Sequence, residues 1–197
     1  SSTSGIIKTA SQEINIDIDF SMSRSFIVEN RIDMPRTFDP LVINFNGEIP
    51  ELSETRFSFD LDNDGEEDQI SKLKEGNGFL ALDKNEDGKI NEGSELFGTI
   101  LGDGFEELAE YDEDNNNWID ENDAVFEKLL IWTKNENGDE EFFSLKDKGV
   151  GALYLDKVST SFDLEDLNGN LQAKMRESSI YLKEEGGVGP IQEVDLV

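Results

Sequence analysis

Thirteen residues, Tyr111–Asp123 ("YDEDNNNWIDEND"), hold six carboxylates. Like charges at that density repel one another, and a cation among them would relieve the repulsion. Take Asp112 as position 1 of a twelve-residue loop. Oxygen-bearing side chains then fall at positions 1 (Asp112), 3 (Asp114), 5 (Asn116), 9 (Asp120) and 12 (Asp123), with Ile119 at 8. Alternate residues of a curling loop turn their oxygens onto one calcium ion in this pattern, and position 7, Trp118, contributes its backbone carbonyl. Position 6 needs φ > 0 and is normally Gly; Asn117, the next most tolerant residue, stands there. Asp123 is one methylene shorter than the usual Glu. A solvated acidic linker with chance spacing is the competing reading.

The pattern recurs twice. In "LDKNEDGKINEGSELFG", Asp83, Asn85 and Asp87 take positions 1, 3 and 5, Gly88 position 6, Lys89 the carbonyl position 7 and Ile90 position 8. Glu95 falls one residue late for position 12, so this loop is slightly expanded, or Ser94 and a water substitute. Both loops have EF-hand spacing, and Ile90 and Ile119 are expected to pair across back-to-back loops. In "FDLDNDGEEDQI", Asp60, Asp62, Asp64 and Asp68 give D-x-D-x-D-G-x-x-D, with Glu66 at position 7. Glu67 at position 8 and Ser71 at 12 exclude an EF-hand; a strand-loop-strand calcium site closed by Asp68 fits, against an acidic hairpin turn. The stretches "TKNENGDEE" and "NFNGE" match only in fragments. Oxygen donors without nitrogen or sulfur select calcium over transition metals, and about three ions are expected.

The composition agrees. The 197 residues carry a formal charge of −29. Between Asp60 and Asp123 stand 22 acids against four lysines. Such a surface repels nucleic acid and anionic lipid. No apolar run reaches the roughly 20 residues of a membrane-spanning helix. With no Cys or His, disulfides, the usual zinc sites and Ser-His or Cys-His catalysis are excluded. The chain opens without Met or a signal pattern, so a fragment or processed product is expected. Calcium is the expected partner, with another protein as a further possibility, and an extracellular or cell-surface location is where weak calcium sites fill. An intracellular sensor with a Met-rich groove fits poorly with three Met.

The elements that must hold these loops read as follows. "INIDIDF" alternates apolar and polar as a half-buried strand, with "GIIKTA" and "RSFIVENRI" as neighbours. Prolines in "MPRTFDP" break the pattern. Leu41–Phe45 and Arg56–Leu61 read as strands; Gly104–Tyr111 and Asp123–Trp132 show helical spacing. "GALYLDKVSTSF" and "LQAKMRESSIYLK" flank "DLNGN", a hairpin turn at Asn168-Gly169. The expectation is an α+β fold: small antiparallel sheets at both ends, flanking a central EF-hand-like loop region with short helices. It divides into an N-terminal strand segment (1–38), a calcium-binding module (39–155) and a C-terminal hairpin region (156–197) that packs on the module.

The order "DPLVINFNGEIPEL", "FSFDLDNDGEEDQI", "GFLALDKNEDGKINEGSELFG", a further loop and "IWTKNENGD" resembles the calcium-binding self-processing module of iron-regulated RTX proteins and of large bacterial adhesin-like proteins. The resemblance runs from about Asp39 to Leu155. It implies calcium-driven folding, scission of Asp39-Pro40 and possible transfer of the freed Asp39 to a lysine amine. The Asp39 carboxyl can attack its own carbonyl to give a cyclic anhydride, which water or an amine then opens. Where the family tends to carry an acidic D-x-D-G loop, this chain has Asn44-Phe45-Asn46-Gly47, so a calcium-binding structural or interaction module without cleavage is the first reading, with self-processing as the alternative. In the former case Asp39-Pro40 merely opens a strand.

Overall fold

The computed structural model describes residues 2–8, 13–19, 38–46, 51–165 and 169–196. Near the N-terminus β1 (Ser2–Lys8) and β2 (Glu13–Asp19) form an antiparallel pair; "RSFIVENRI" lies outside the described residues. Thereafter come β3 (Leu41–Asn44), β4 (Leu52–Phe59), β5 (Asp68–Leu73), β6 (Asn77–Ala81), α1 (Gly104–Ala109), β7 (Trp118–Ile119), β8 (Leu130–Lys134), β9 (Glu140–Ser144), β10 (Val150–Tyr154), β11 (Val158–Glu165), β12 (Leu171–Lys183) and β13 (Val188–Leu196).

Nine strands form one sheet, curled as a half-barrel, in the order β7-β10-β12-β13-β3-β6-β8-β9, with β11 added beside β12. β4 and β5 make a separate hairpin. All four residues of β3 are buried because both faces of the sheet are covered there, and its apolar run splits by period 2. Leu41 and Ile43 face one core with Leu80, Ile131 and Ile191, roofed by Phe105 and Leu108 of α1. Val42 faces the other with Phe79, Ala81, Trp132 and Val194, roofed by Phe59, Ile70 and Leu73 of the hairpin. Trp132 anchors that second core, with the rings of Phe59, Phe79 and Phe57 at centroid distances of 5.0, 5.7 and 5.8 Å.

The α+β expectation is overturned. Among the described residues strands account for 48% and helical turns for 10%, and α1 is six residues long. The helical spacing read over Asp123–Trp132 has another cause. Val125, Phe126 and Leu129 reach the first core from a single 3-10 turn, Phe126–Lys128. From Leu130 the chain is extended as β8, pairing with β6 and β9 and sending Ile131 and Trp132 to opposite cores. β-branched and aromatic residues in "LLIWT" favour that extended state. No helix among the described residues is long and apolar enough to cross a membrane.

Candidate metal centre

The three acidic loops fold on one template. The N–H of position 5 donates to Oδ1 of position 1: Asp64 to Asp60 at 3.1 Å, Asp87 to Asp83 at 3.2 Å and Asn116 to Asp112 at 3.2 Å. The N–H of position 6 donates to Oδ2 of the same residue, from Gly65, Gly88 and Asn117 at 3.1, 2.8 and 2.9 Å. Position 5 also donates to Oδ1 of position 3, that is Asp62, Asn85 and Asp114. Position 7 (Glu66, Lys89, Trp118) donates to Oδ1 of position 5 at 2.8, 2.9 and 2.7 Å. The backbone repeats as well. Position 4 is left-handed in each loop (Asn63 φ 58°, Glu86 φ 59°, Asn115 φ 56°), and so is position 6 (Gly65 φ 90°, Gly88 φ 79°, Asn117 φ 69°).

Side-chain oxygens converge accordingly. One oxygen from each of Asp60, Asp62 and Asp64 lies within 4.8 Å of the others, and the same holds for Asp112, Asp114 and Asp123. Asp68 opens β5, and its Oδ2 accepts from Leu61 N–H at 3.3 Å. Asp123, 2% exposed, braces its loop by accepting from Glu113 and Asp120 N–H at 2.8 and 2.9 Å. Asp120 is fully buried. Burial pushes the carboxyls of Asp120 and Asp123 above the ordinary range.

The Asp83 loop supplies the sharpest test of fit. Glu95, fully buried, accepts from Asn91 N–H through Oε2 at 2.9 Å, while Oε1 has no hydrogen-bond partner. Burial pushes its carboxyl up, and Asp83 and Asp87 raise it further. A buried acceptor with no donor fits cation ligation, although the carboxylates of Asp83, Asp87 and Glu95 do not draw together within 4.8 Å as those of the other two loops do.

Loop pairing differs from the expectation. Ile119 pairs with Leu153 across β7 and β10 and lies in the first core, whereas Ile90 lies in the second. The Asp83 loop instead joins the Asp60 loop: Gly93 N–H donates to the Asp60 carbonyl at 2.7 Å and Ser94 N–H to Asn63 Oδ1 at 3.0 Å. Neither EF-hand-spaced loop is enclosed by two helices; β6 enters one, and a 3-10 turn leaves the other. "NENGD" is the tight turn between β8 and β9, where Asn135 Oδ1 accepts from Asn137 and Asp139 N–H. Asn44 belongs to β3, and its amide donates to Asn77 Oδ1 at 2.8 Å.

Asp39 is 6% exposed. Its N–H donates to the Gly98 carbonyl at 3.3 Å, and the Pro40 carbonyl accepts from Val194 N–H at 3.2 Å. Gly98 (φ 105°) lies flat against the bond: a Cβ there would stand 2.1 Å from the Asp39 carbonyl oxygen and 2.8 Å from its carbon. Behind Gly98, the buried Glu107 accepts from Gly98, Ile100 and Leu101 N–H at 3.0, 3.1 and 2.7 Å. Nothing in the local spacing of the sequence marks Glu107, Glu193 or Lys157, whose partners are set by the fold.

The SPM domain matches residues 41–197, beginning two residues after Asp39. The chain belongs to the SPM-domain family. Iron-regulated protein FrpA of Neisseria meningitidis serogroup C is 31% identical over 165 residues, which is 76% of this chain and 14% of that protein. The SPM chain thus spans a small part of that relative's length. Both matches fit a related RTX-like module, in line with the motif order, and the acidic clusters able to hold metal lie within the matched residues.

Proposed function

We propose that this chain is a calcium-binding module whose fold is completed by about three Ca²⁺ ions, at Asp60/Asp62/Asp64/Asp68, Asp83/Asn85/Asp87/Glu95 and Asp112/Asp114/Asn116/Asp120/Asp123. The carbonyls of Glu66, Lys89 and Trp118 join these sets. The observation that carries this reading is the common hydrogen-bond template of the three loops, with positions 4 and 6 left-handed in each. The Ca²⁺ would supply positive charge to a surface of −29 and bridge strands that are distant in sequence. Module 39–155 would then carry the ions, with 156–197 packing on it. An extracellular or bacterial-surface setting, rich in calcium, suits such sites. The test is thermal melting with EDTA and with Ca²⁺. Ligands that bind only the native state raise the melting temperature by mass action, and an unchanged melt with EDTA sinks the reading.

A second reading, self-cleavage at Asp39-Pro40, is favoured by the family and by the placement of that bond: buried, hydrogen-bonded on both sides and fitted to Gly98. Asp39 Oδ would attack the Asp39 carbonyl carbon, the C–N bond to Pro40 would break, and Pro40 N would take a proton. Water then opens the anhydride to two carboxyls, or a lysine amine opens it to a new amide. An SDS gel after calcium addition, with Asp39→Ala as control, tests it.

A further inference from the structure

The sheet sets a buried carboxyl opposite the strand that the Asp39-Pro40 bond opens. β13 pairs with β3 in the register Glu193↔Leu41, so Glu193 lies across from the second residue after Asp39, and Val194 N–H holds the Pro40 carbonyl. Glu193 is 2% exposed. Its Oε1 accepts from Gly104 N–H at 2.6 Å and Phe105 N–H at 3.4 Å. Gly104 N and the Asp39 carbonyl oxygen approach the same point, standing 3.3 and 2.1 Å from where a Gly98 Cβ would be. One carboxyl therefore ties together β13, the start of α1 and the ground on which the Asp39 carbonyl rests.

We propose that Glu193 is a positioning residue for scission of Asp39-Pro40, fixing the Gly104–Phe105 turn against the Asp39 carbonyl and releasing its proton, through a bridging water, to the departing Pro40 nitrogen. The inference rests on the self-cleavage reading above. The balance closes: Asp39 Oδ forms the new C–O bond, the C–N bond breaks, Pro40 N gains the proton Glu193 loses, and hydrolysis of the anhydride returns one. Burial pushes the Glu193 carboxyl up to about 8, against the opposing pull of Lys157, so near neutrality it carries the proton this step needs.

The charged surroundings are defined. Lys157 Nζ pairs with Asp103 and, at 2.6 Å, with Glu177. Asp103 and Glu177 push the Glu193 carboxyl up while Lys157 pulls it down. Arg176 and Asp195, on β12 and β13, pair with each other at 2.5 Å.

The test follows cleavage rate against pH in calcium-loaded wild type, Glu193→Gln and Lys157→Gln. Wild type should cleave and slow as pH rises through about 8. Glu193→Gln keeps the Oε1 acceptor without a transferable carboxyl proton. It should melt near the wild-type temperature with Ca²⁺, cleave about 100-fold more slowly and lose the alkaline fall. Lys157→Gln should move that fall to higher pH. Wild-type rate and profile in Glu193→Gln overturn the inference, as does an unmoved fall in Lys157→Gln should the glutamine variant not fold. An uncut wild type ends the cleavage reading and this inference with it.

Discussion

Asn117 in the Asp112 loop stands where Gly88 stands in the Asp83 loop, with φ 69° against 79°, and each donates its N–H to Oδ2 of the first Asp of its loop. The Asp112 loop thus keeps the calcium-loop turn without its glycine, because Asn tolerates left-handed backbone better than other side chains. Asn117→Ala should destabilise the module by about 1 kcal/mol, lowering the melting temperature by about 2–4 °C. Asn117→Gly should stay within about 1 kcal/mol of wild type. Thermal denaturation in Ca²⁺ checks both.

The bond from Ser94 N–H to Asn63 Oδ1 joins two acidic loops across 31 residues. Asn63→Ala removes a bond worth about 0.5–1.5 kcal/mol. Calcium affinity at the Asp60 and Asp83 loops should fall together, by about 3- to 10-fold, while the Asp112 loop is unaffected. Calorimetric titration reads the first effect, and the Trp118 signal described next reads the second. Equal losses at all three loops contradict the coupling.

The two tryptophans sit beside different loops. Trp118 supplies the position 7 carbonyl of the Asp112 loop, its indole stacked 4.6 Å from the Tyr154 ring. Trp132 packs 5.0 Å from Phe59, the residue before Asp60. Terbium titration should give sensitised emission from both, reversed by Ca²⁺ in competition. Trp118→Phe should remove the Asp112-loop component and Asp112→Ala should do the same, leaving the Trp132 component. Emission unchanged in both variants removes the Asp112 loop as an ion site.

The loops were legible in sequence because their hydrogen bonds span two to five residues, so spacing alone specifies them. The sheet was not. β3 lies between β13 and β6 through pairings that no local pattern encodes. "VGPIQEVDL" hides a strand behind a Gly-Pro pair that reads as a turn, although Pro190 sits opposite Ile180 in the β12–β13 ladder. Glu193 was invisible for the same reason: its contact with Gly104 spans 89 residues. Asp39 stands out in the sequence by its Pro neighbour and by resemblance; its burial against Gly98 comes only from the fold.

Gly98 and Gly65 separate close approach from backbone freedom. Both have positive φ, 105° and 90°, but a Cβ on Gly65 meets nothing within 4 Å, whereas one on Gly98 strikes the Asp39 carbonyl at 2.1 Å. Gly65→Ala should destabilise by about 1–2 kcal/mol. Gly98→Ala should destabilise by about 2–5 kcal/mol, since left-handed strain and displacement of backbone add. Urea denaturation in Ca²⁺ distinguishes the two, and equal effects would show that the Asp39 carbonyl does not rest on Gly98.

Glu193 should also shape the pH dependence of stability. Its carboxyl rises from 4.5 to about 8 on folding because burial disfavours the charge. The folded chain therefore holds a proton that the unfolded chain has already released, and stability falls with pH across that interval. The contribution is fully present below 4.5 and is lost as pH rises through about 8. Glu193→Gln keeps the acceptor for Gly104 N–H and has no charge to bury. Its melting temperature in Ca²⁺ should therefore fall less than that of wild type between about pH 6 and about pH 9. Parallel pH profiles for the two proteins would place the ionised Glu193 carboxylate in contact with solvent or fully paired with Lys157, contrary to a carboxyl buried beneath α1.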